Sequence, residues 1–265
     1  MRKIFILLLF LTTSCIWKKQ EYFSAKNNMT DNVETVIVLH GIARTNRQTY
    51  LLSKRIAENG FEVYNITYPS TEYTIEELAD ILNNKFTELD LDKKEKINIV
   101  AHSLGGIVVR AYVNKYKPKN LEKIVMISTP NNGSELADFF KNWKLYKDIY
   151  GLAGQELTTN NEKLVKAIGD RIYEKYKVGI IAGSTSFNPI FSSMLLGKDD
   201  GVVSVESTKL EGMQDHITVK VLHGIGLYGE KIPKLVVSFL KDGKFDRKIL
   251  KKEKVFYEKR YDDLD

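Results

Sequence analysis

A single cysteine, Cys15, occurs in the 265 residues, which rules out a disulfide framework. Cohesion must then come from an apolar core, and a chain of this length with 43% hydrophobic residues can bury one of single-domain size. Only four histidines are present, His40, His102, His216 and His223. They show no spacing with Cys15 or with carboxylates of the kind that builds a metal centre. No Gly-rich phosphate loop occurs either, so neither a metal nor a nucleotide nor any other cofactor is implied. Internal repeats are absent. The formal net charge of +6 and the pI of about 9.0 are products of the ends: Arg2 with Lys3, segment 16–30 and segment 244–265 each carry an excess of two positive charges, leaving 31–243 neutral. A neutral body excludes a nucleic-acid groove. Basic ends fit weak attraction to anionic lipid headgroups, or simply solvated termini.

What is present at the amino end has the shape of an export signal. Met1-Arg2-Lys3 is followed by a nearly continuous apolar run from Ile4 to Leu11 and then by Thr12-Thr13-Ser14-Cys15. The apolar segment is too short to cross a bilayer as a stable helix and reads as a secretory signal. Cys15, directly after it, resembles the lipidated cysteine of a bacterial lipobox, with Thr12 departing from the apolar residue usual at that position. That resemblance implies lipidation of Cys15, a location in the cell envelope and a membrane anchor. A plainly cleaved signal, giving a secreted or periplasmic protein, is the alternative. Residues 16–32 are polar and read as a flexible tether, 33–243 as one folded domain and 244–265 as a charged tail.

Within 33–243 the pattern alternates strand and helix. Strands are expected at 35–40, 61–67, 96–100, 121–128, 178–182 and 217–222, with helices near 47–59, 74–89, 104–116 and 228–240 between them. Such alternation predicts an α/β fold with a mainly parallel sheet and helices on both faces. The stretch 131–177 breaks the rhythm. Its Phe139, Phe140, Trp143, Leu145, Tyr146 and Tyr150 recur at helical spacing, as expected of a short helical lid or wall over the carboxyl edge of the sheet, or of a helix packed on the core.

Ala101-His102-Ser103-Leu104-Gly105-Gly106 joins the strand ending near Val100 to the following helix. Small residues two before and two after a serine, between strand and helix, are the pattern of the Gly-x-Ser-x-Gly nucleophile elbow, with Ala101 in place of the first glycine. A serine nucleophile needs a base, an orienting acid and donors for an oxyanion. Only His216 and His223 follow Ser103. His223 comes after the run 217–222 and before a helical pattern, as a base at a strand end would; His216 precedes that run and, with Asp215, is expected to cap or buttress the loop before it. Asp200, in Lys198-Asp199-Asp200-Gly201, is the expected acid, with Asp199 as its local alternative. The backbone N–H of Leu104 and that of Ile42, after the strand ending in Leu39-His40-Gly41, are the expected oxyanion donors. His40 reads as a residue that fixes this loop.

Leu39-His40-Gly41-Ile42, the Ser103 elbow, Ser128-Thr129-Pro130-Asn131-Asn132-Gly133-Ser134 and Asp200-Gly201-Val202-Val203 together resemble bacterial lipases and esterases of the α/β-hydrolase superfamily. The likeness extends over about 35–245 through Gly154-Gln155-Glu156-Leu157, Ala182-Gly183, Asn188-Pro189, Val205-Glu206-Ser207-Thr208, Gly212-Met213 and Asp215-His216. It implies an α/β-hydrolase fold, an ester or lipid substrate, no cofactor, and roles for Ser103, Asp200 and His223 with oxyanion amides at Ile42 and Leu104. Ser204 stands where many relatives carry proline. The same triad would also serve a thioesterase or acyltransferase, and the fold alone would serve a non-catalytic envelope binding protein.

Overall fold

The computed structural model describes residues 22–23, 33–169 and 175–251; the expected signal, Cys15 and most of the tether and tail lie outside them. Strands β1 (Tyr22–Phe23), β2 (Thr35–Leu39), β3 (Glu62–Ile66), β4 (Ile97–His102), β5 (Leu121–Ile127), β6 (Lys177–Gly183) and β7 (Asp215–Val219) form one sheet in the order β1-β3-β2-β4-β5-β6-β7. β2 to β7 run parallel, and β1 alone is antiparallel, pairing Tyr22 with Tyr64. β2 and β4 are buried along their whole length, which is why their sequences are continuous apolar runs and do not alternate.

Successive side chains of β2 divide the core in two. Ile37 and Leu39 face a cluster built with α2 (Ile75–Glu88) and α3 (Leu104–Tyr116), whereas Val36 and Val38 face one built with α1 (Tyr50–Ala57) and α9 (Lys231–Asp242). The α/β architecture with helices on both faces is the one expected. At the start of α2 the Thr74 hydroxyl accepts from the Glu77 N–H and the Glu77 carboxylate accepts from the Thr74 N–H, a reciprocal capping that sets where the helix begins. The irregular stretch after β5 holds α4 (Glu135–Phe140), α5 (Lys144–Glu156) and α6 (Glu162–Ile168); α6 packs on α3 through Leu164 and Ile168. Short helices α7 (Pro189–Ser192) and α8 (Val205–Thr208) follow β6. Among the described residues no helix is long and apolar enough to cross a membrane.

Three expectations shift. The last strand is Asp215–Val219, not 217–222, so His216 lies within it and does not precede it. Tyr22 and Phe23, assigned to the tether, form the edge strand β1. The packed body also runs beyond 243. Gly243 (φ +68°) ends α9 in the left-handed conformation, and the chain turns back across β7. Phe245 is then buried against Phe239, with ring centroids 4.9 Å apart, and Arg247 forks onto Asp215 at 2.6 and 3.0 Å. Ile249 and Leu250 pack against the same cluster, so a charge-rich composition concealed several apolar anchors. Phe245→Ala should therefore lower the unfolding free energy by about 3–5 kcal/mol in urea titration, the usual cost of emptying a buried phenylalanine site. A solvated tail would leave the midpoint unchanged.

Candidate active site

Ser103 joins β4 to α3 with φ +53° and ψ −125°, a backbone state that L-residues other than glycine avoid and that costs on the order of 1–3 kcal/mol. Packing holds it there. The Ser103 N–H donates to the Ile127 carbonyl at 2.9 Å, and Ala101 is fully buried. The helix start is pressed close to its neighbours: a Cβ at Gly105 would stand 2.8 Å from the His40 carbonyl oxygen, and one at Gly106 would run into Thr129. Only glycines allow that approach.

His223 lies four residues beyond β7, its N–H donating to the Asp200 carbonyl at 2.9 Å. Its Nδ1 is 2.9 Å from Asp200 Oδ2 and its Nε2 is 3.2 Å from Ser103 Oγ. The second Asp200 oxygen, Oδ1, accepts from the N–H groups of Val202 and Val203 at 3.1 and 2.9 Å. Burial by itself would push this carboxyl up; His223, a hydrogen bond from Ser128 and the Val203 N–H outweigh it and hold Asp200 below the ordinary aspartate range. Asp199 is turned away, accepting from Ser192 Oγ and Gly201 N. The two carboxylates that sequence barely separated are thus distinct. His216 is elsewhere, with Nε2 3.1 Å from Thr208 Oγ1, while Asp215 ties down the segment around Arg247.

On the opposite side of Ser103, the Gly41 N–H donates to Gln48 Oε1 at 2.9 Å and the Ala43 N–H to Ser70 Oγ at 3.0 Å. The intervening Ile42 N–H and the Leu104 N–H, at the start of α3, have no partner among the described residues. These are the two expected oxyanion donors. His40 fixes the loop, as expected. Its ring stacks on Tyr68 at 4.3 Å, Nδ1 donates to the Gly41 carbonyl and Nε2 accepts from the Tyr68 N–H, which sets a neutral tautomer; burial holds its pKa down at about 4. α5 leans on the same loop, a Cβ at Gly154 standing 3.2 Å from Ile42 Cδ1, and on the connection after β3, where the Leu152 N–H donates to the Thr71 carbonyl at 3.2 Å.

Two residues near the site carry no signal in the sequence. Gln48 lies in a run that reads only as helix, yet its Oε1 holds Gly41, and a Cβ at Gly224 would sit 3.3 Å from its Nε2, so it wedges between the loops bearing Ile42 and His223. His102 fills the variable position of the elbow. It is fully buried, neither ring nitrogen has a partner among the described residues, and its ring lies 4.8 Å from that of His223. Burial, reinforced by the neighbouring His223, keeps it from protonating near neutrality. Among the described residues no group of His, Cys, Asp and Glu could hold a metal ion.

Because His102 titrates lower in the folded protein than its ordinary value of 6.5, the unfolded chain takes up a proton first as the pH falls. Stability contributed by the neutral ring is present above that value and lost below it, at up to about 1.4 kcal/mol per pH unit for each such histidine. Urea unfolding between about pH 7 and pH 5 should show this loss, and His102→Leu should flatten the slope by roughly one histidine's share. Equal slopes for both proteins would mean that His102 protonates in the folded state.

The α/β-hydrolase fold family matches residues 34–148. Over 50 residues the chain is 40% identical to triacylglycerol lipase 2 of Saccharomyces cerevisiae, a match spanning 18% of this chain and only 15% of that protein. Solved structures extend the likeness in fold. A Bacillus licheniformis lipase in its mature form superposes with a TM-score of 0.67 at 20% identity, covering 78% of this chain and 93% of that one. A Legionella pneumophila phospholipase gives a TM-score of 0.62 at 17% identity over 80% of this chain and 57% of its own. A Paleococcus ferrophilus monoacylglycerol lipase gives a TM-score of 0.54 at 20% identity over 79% and 94%. The match over 34–148 and these superpositions show that the chain has an α/β-hydrolase fold.

Proposed function

We propose that the chain hydrolyses a carboxylic ester, with a lipid ester as the substrate class, through an acyl-enzyme on Ser103. The observation that carries this reading is the continuous relay from Asp200 through His223 to Ser103 at 2.9 and 3.2 Å, beside two N–H groups without partners. The lipases and the phospholipase among its relatives support the substrate class.

Ser103 Oγ attacks the ester carbonyl while His223 Nε2 takes its proton. Asp200 keeps the His223 Nδ1–H in place and balances the imidazolium, and the Ile42 and Leu104 N–H groups receive the oxyanion. Collapse of the tetrahedral intermediate expels the alkoxide, which leaves as the alcohol with the proton from His223. Water, deprotonated by the same imidazole, then attacks the acyl-serine, and the carboxylic acid departs as Ser103 regains its proton. The neutral His102 beside His223 adds no second positive charge to the developing imidazolium. No step needs a cofactor.

Ser103→Ala should abolish labelling by a fluorophosphonate probe with the fold intact, and unchanged labelling would overturn Ser103 as nucleophile. His223→Ala should lower ester hydrolysis by on the order of 10⁴ to 10⁶, whereas His216→Ala keeps most of it. Asp200→Asn should follow His223→Ala more closely than Asp199→Asn does; a reversed order in either pair would show the base or the acid to be misassigned.

The protein is further proposed to be exported and held in the cell envelope by lipid on Cys15, a reading supported by the apolar run Ile4 to Leu11 and the position of the lone cysteine directly after it. Firm retention would take more than one acyl chain. Growth with an alkyne fatty acid should label the wild-type protein and not Cys15→Ala. An exported full-length protein without label would refute lipidation.

A further inference from the structure

Asn65 is fully buried in β3, where a polar side chain costs free energy unless its hydrogen bonds are met. One turn meets them. The Asn65 Nδ2 donates to the Asn46 carbonyl at 2.8 Å, its Oδ1 accepts from the Thr49 hydroxyl at 2.7 Å, and the Asn46 Nδ2 donates to the Asn65 carbonyl at 3.3 Å. Asn46 and Thr49 are themselves buried, so the turn is fastened to the sheet at both of its ends. Between those two residues stands Gln48, half-buried, on a platform fixed by that network.

The Gln48 carboxamide lies against the chain neighbours of two site residues. Its Oε1 accepts at 2.9 Å from the N–H of Gly41, the residue before Ile42, and its Nε2 stands 3.3 Å from where a Cβ would be on Gly224, the residue after His223. Gly41 has no side chain to restrict its dihedrals, so the direction of the following N–H, that of Ile42, depends on what holds Gly41. The Gly41 carbonyl shares a peptide plane with that N–H and points the opposite way. His40 Nδ1 donates to this carbonyl at 2.8 Å, and Gln48 holds the other side of the same glycine. Both glycines are close-fitted to the elbow: a Cβ at Gly41 would stand 2.9 Å from His102 Nδ1 and 3.2 Å from Ser103 Cβ, and one at Gly224 3.7 Å from His102 Cε1.

We propose that Gln48 is a positioning residue for ester hydrolysis, its carboxamide fixing the Ile42 N–H relative to His223 and so setting the place of the oxyanion against the base. The inference rests on the proposed hydrolase chemistry and names the side chain that keeps two of its parts in register. Gln48 acts through Gly41 and Gly224. Its effect therefore falls on the transition state, where the oxyanion and the imidazolium have formed, more than on binding of the uncharged ester.

Gln48→Met keeps the length of the side chain and removes both amide atoms. With a soluble short-chain ester, kcat should fall roughly tenfold to a hundredfold, the usual effect of slight misplacement, while KM changes by less than about twofold. A trifluoromethyl ketone probes the oxyanion directly: Ser103 Oγ bonds to the ketone carbon, its proton passes to His223, and the carbonyl electron pair becomes the oxyanion. Its affinity should fall by the same factor as kcat. Deuterium uptake should quicken by about tenfold in 40–44 and 222–226 and stay unchanged in β4 and β5. Gln48→Glu, which keeps an acceptor for the Gly41 N–H, should retain the wild-type uptake in 40–44. A kcat within twofold of wild type, a KM that rises as far as kcat falls, or an undiminished ketone affinity would overturn the proposal. Faster uptake throughout the sheet would make Gln48 a general stability residue and overturn it too, as would equal uptake in 40–44 for the Met and Glu variants. Fluorophosphonate labelling of the wild-type protein reads the hydrolase proposal separately; if that fails, the uptake comparison still decides whether Gln48 holds the two loops.

Discussion

The close approach of β4 to α3 at Ser103 is the constraint from which the rest of the site follows. A serine at φ +53° persists only because its neighbours leave no other course: its N–H is bound to Ile127, and Gly105 and Gly106 let the helix start press against the His40 carbonyl and Thr129. In this conformation Ser103 Oγ lies 3.2 Å from His223 Nε2, and the Leu104 N–H at the helix start has no partner among the described residues. Contact with the His40 carbonyl also couples the elbow to the loop carrying Ile42, so Ser103 and the Ile42 and Leu104 N–H groups share one piece of packing. Loosening it would displace both.

Around that joint the protein places three imidazoles and one buried carboxylate, and burial keeps two of the imidazoles, His40 and His102, neutral. His40 is locked as a neutral tautomer between Gly41 and Tyr68, and His102 is sealed off with both nitrogens unpartnered among the described residues. His223 alone faces Asp200, whose charge is retained by the Val202 and Val203 N–H groups and by His223 itself. An unpartnered buried imidazole costs free energy. The His102 ring lies 4.8 Å from that of His223 and fills the space beside it without a charge.

The outer layer has a different logic. The insertion after β5 is part core and part wall: α6 is fastened through Leu164 and Ile168, and Arg110 on α3 reaches both Asn131 and the Gly169 carbonyl, while α5 leans on the loop carrying Ile42. The apolar residues of α4, α5 and the joint between them that do not reach the core, Phe139 and Trp143 among them, stand exposed near the segment around α7, the Phe140 ring lying 5.7 Å from that of Phe191. The aromatic stripe of 131–177 therefore divides between two jobs that helical spacing alone could not separate.

Much of this was legible in the residues themselves, where local chemistry leaves one solution. The Ala101–Gly106 pattern demanded a strand-turn-helix elbow, the apolar runs demanded buried parallel strands, and the order of Ser103, Asp200 and His223 left few arrangements. Contacts between distant segments were not legible. Asp199 and Asp200 are chemically identical neighbours, separated only by which one meets the His223 loop. Gln48 and His102 belong to no motif and acquire their places from the loops that close on them. Phe245 is one of four aromatics in a charged stretch, and Tyr22 with Phe23 are two residues in a polar one, until the sheet supplies partners. Sequence by itself determined the α/β alternation, the residue types of the site and the choice of His223, because periodicity and motif order are local; tertiary structure alone decided which of two adjacent carboxylates meets His223 and which ends join the body, because those choices depend on surfaces that exist only after the sheet has formed.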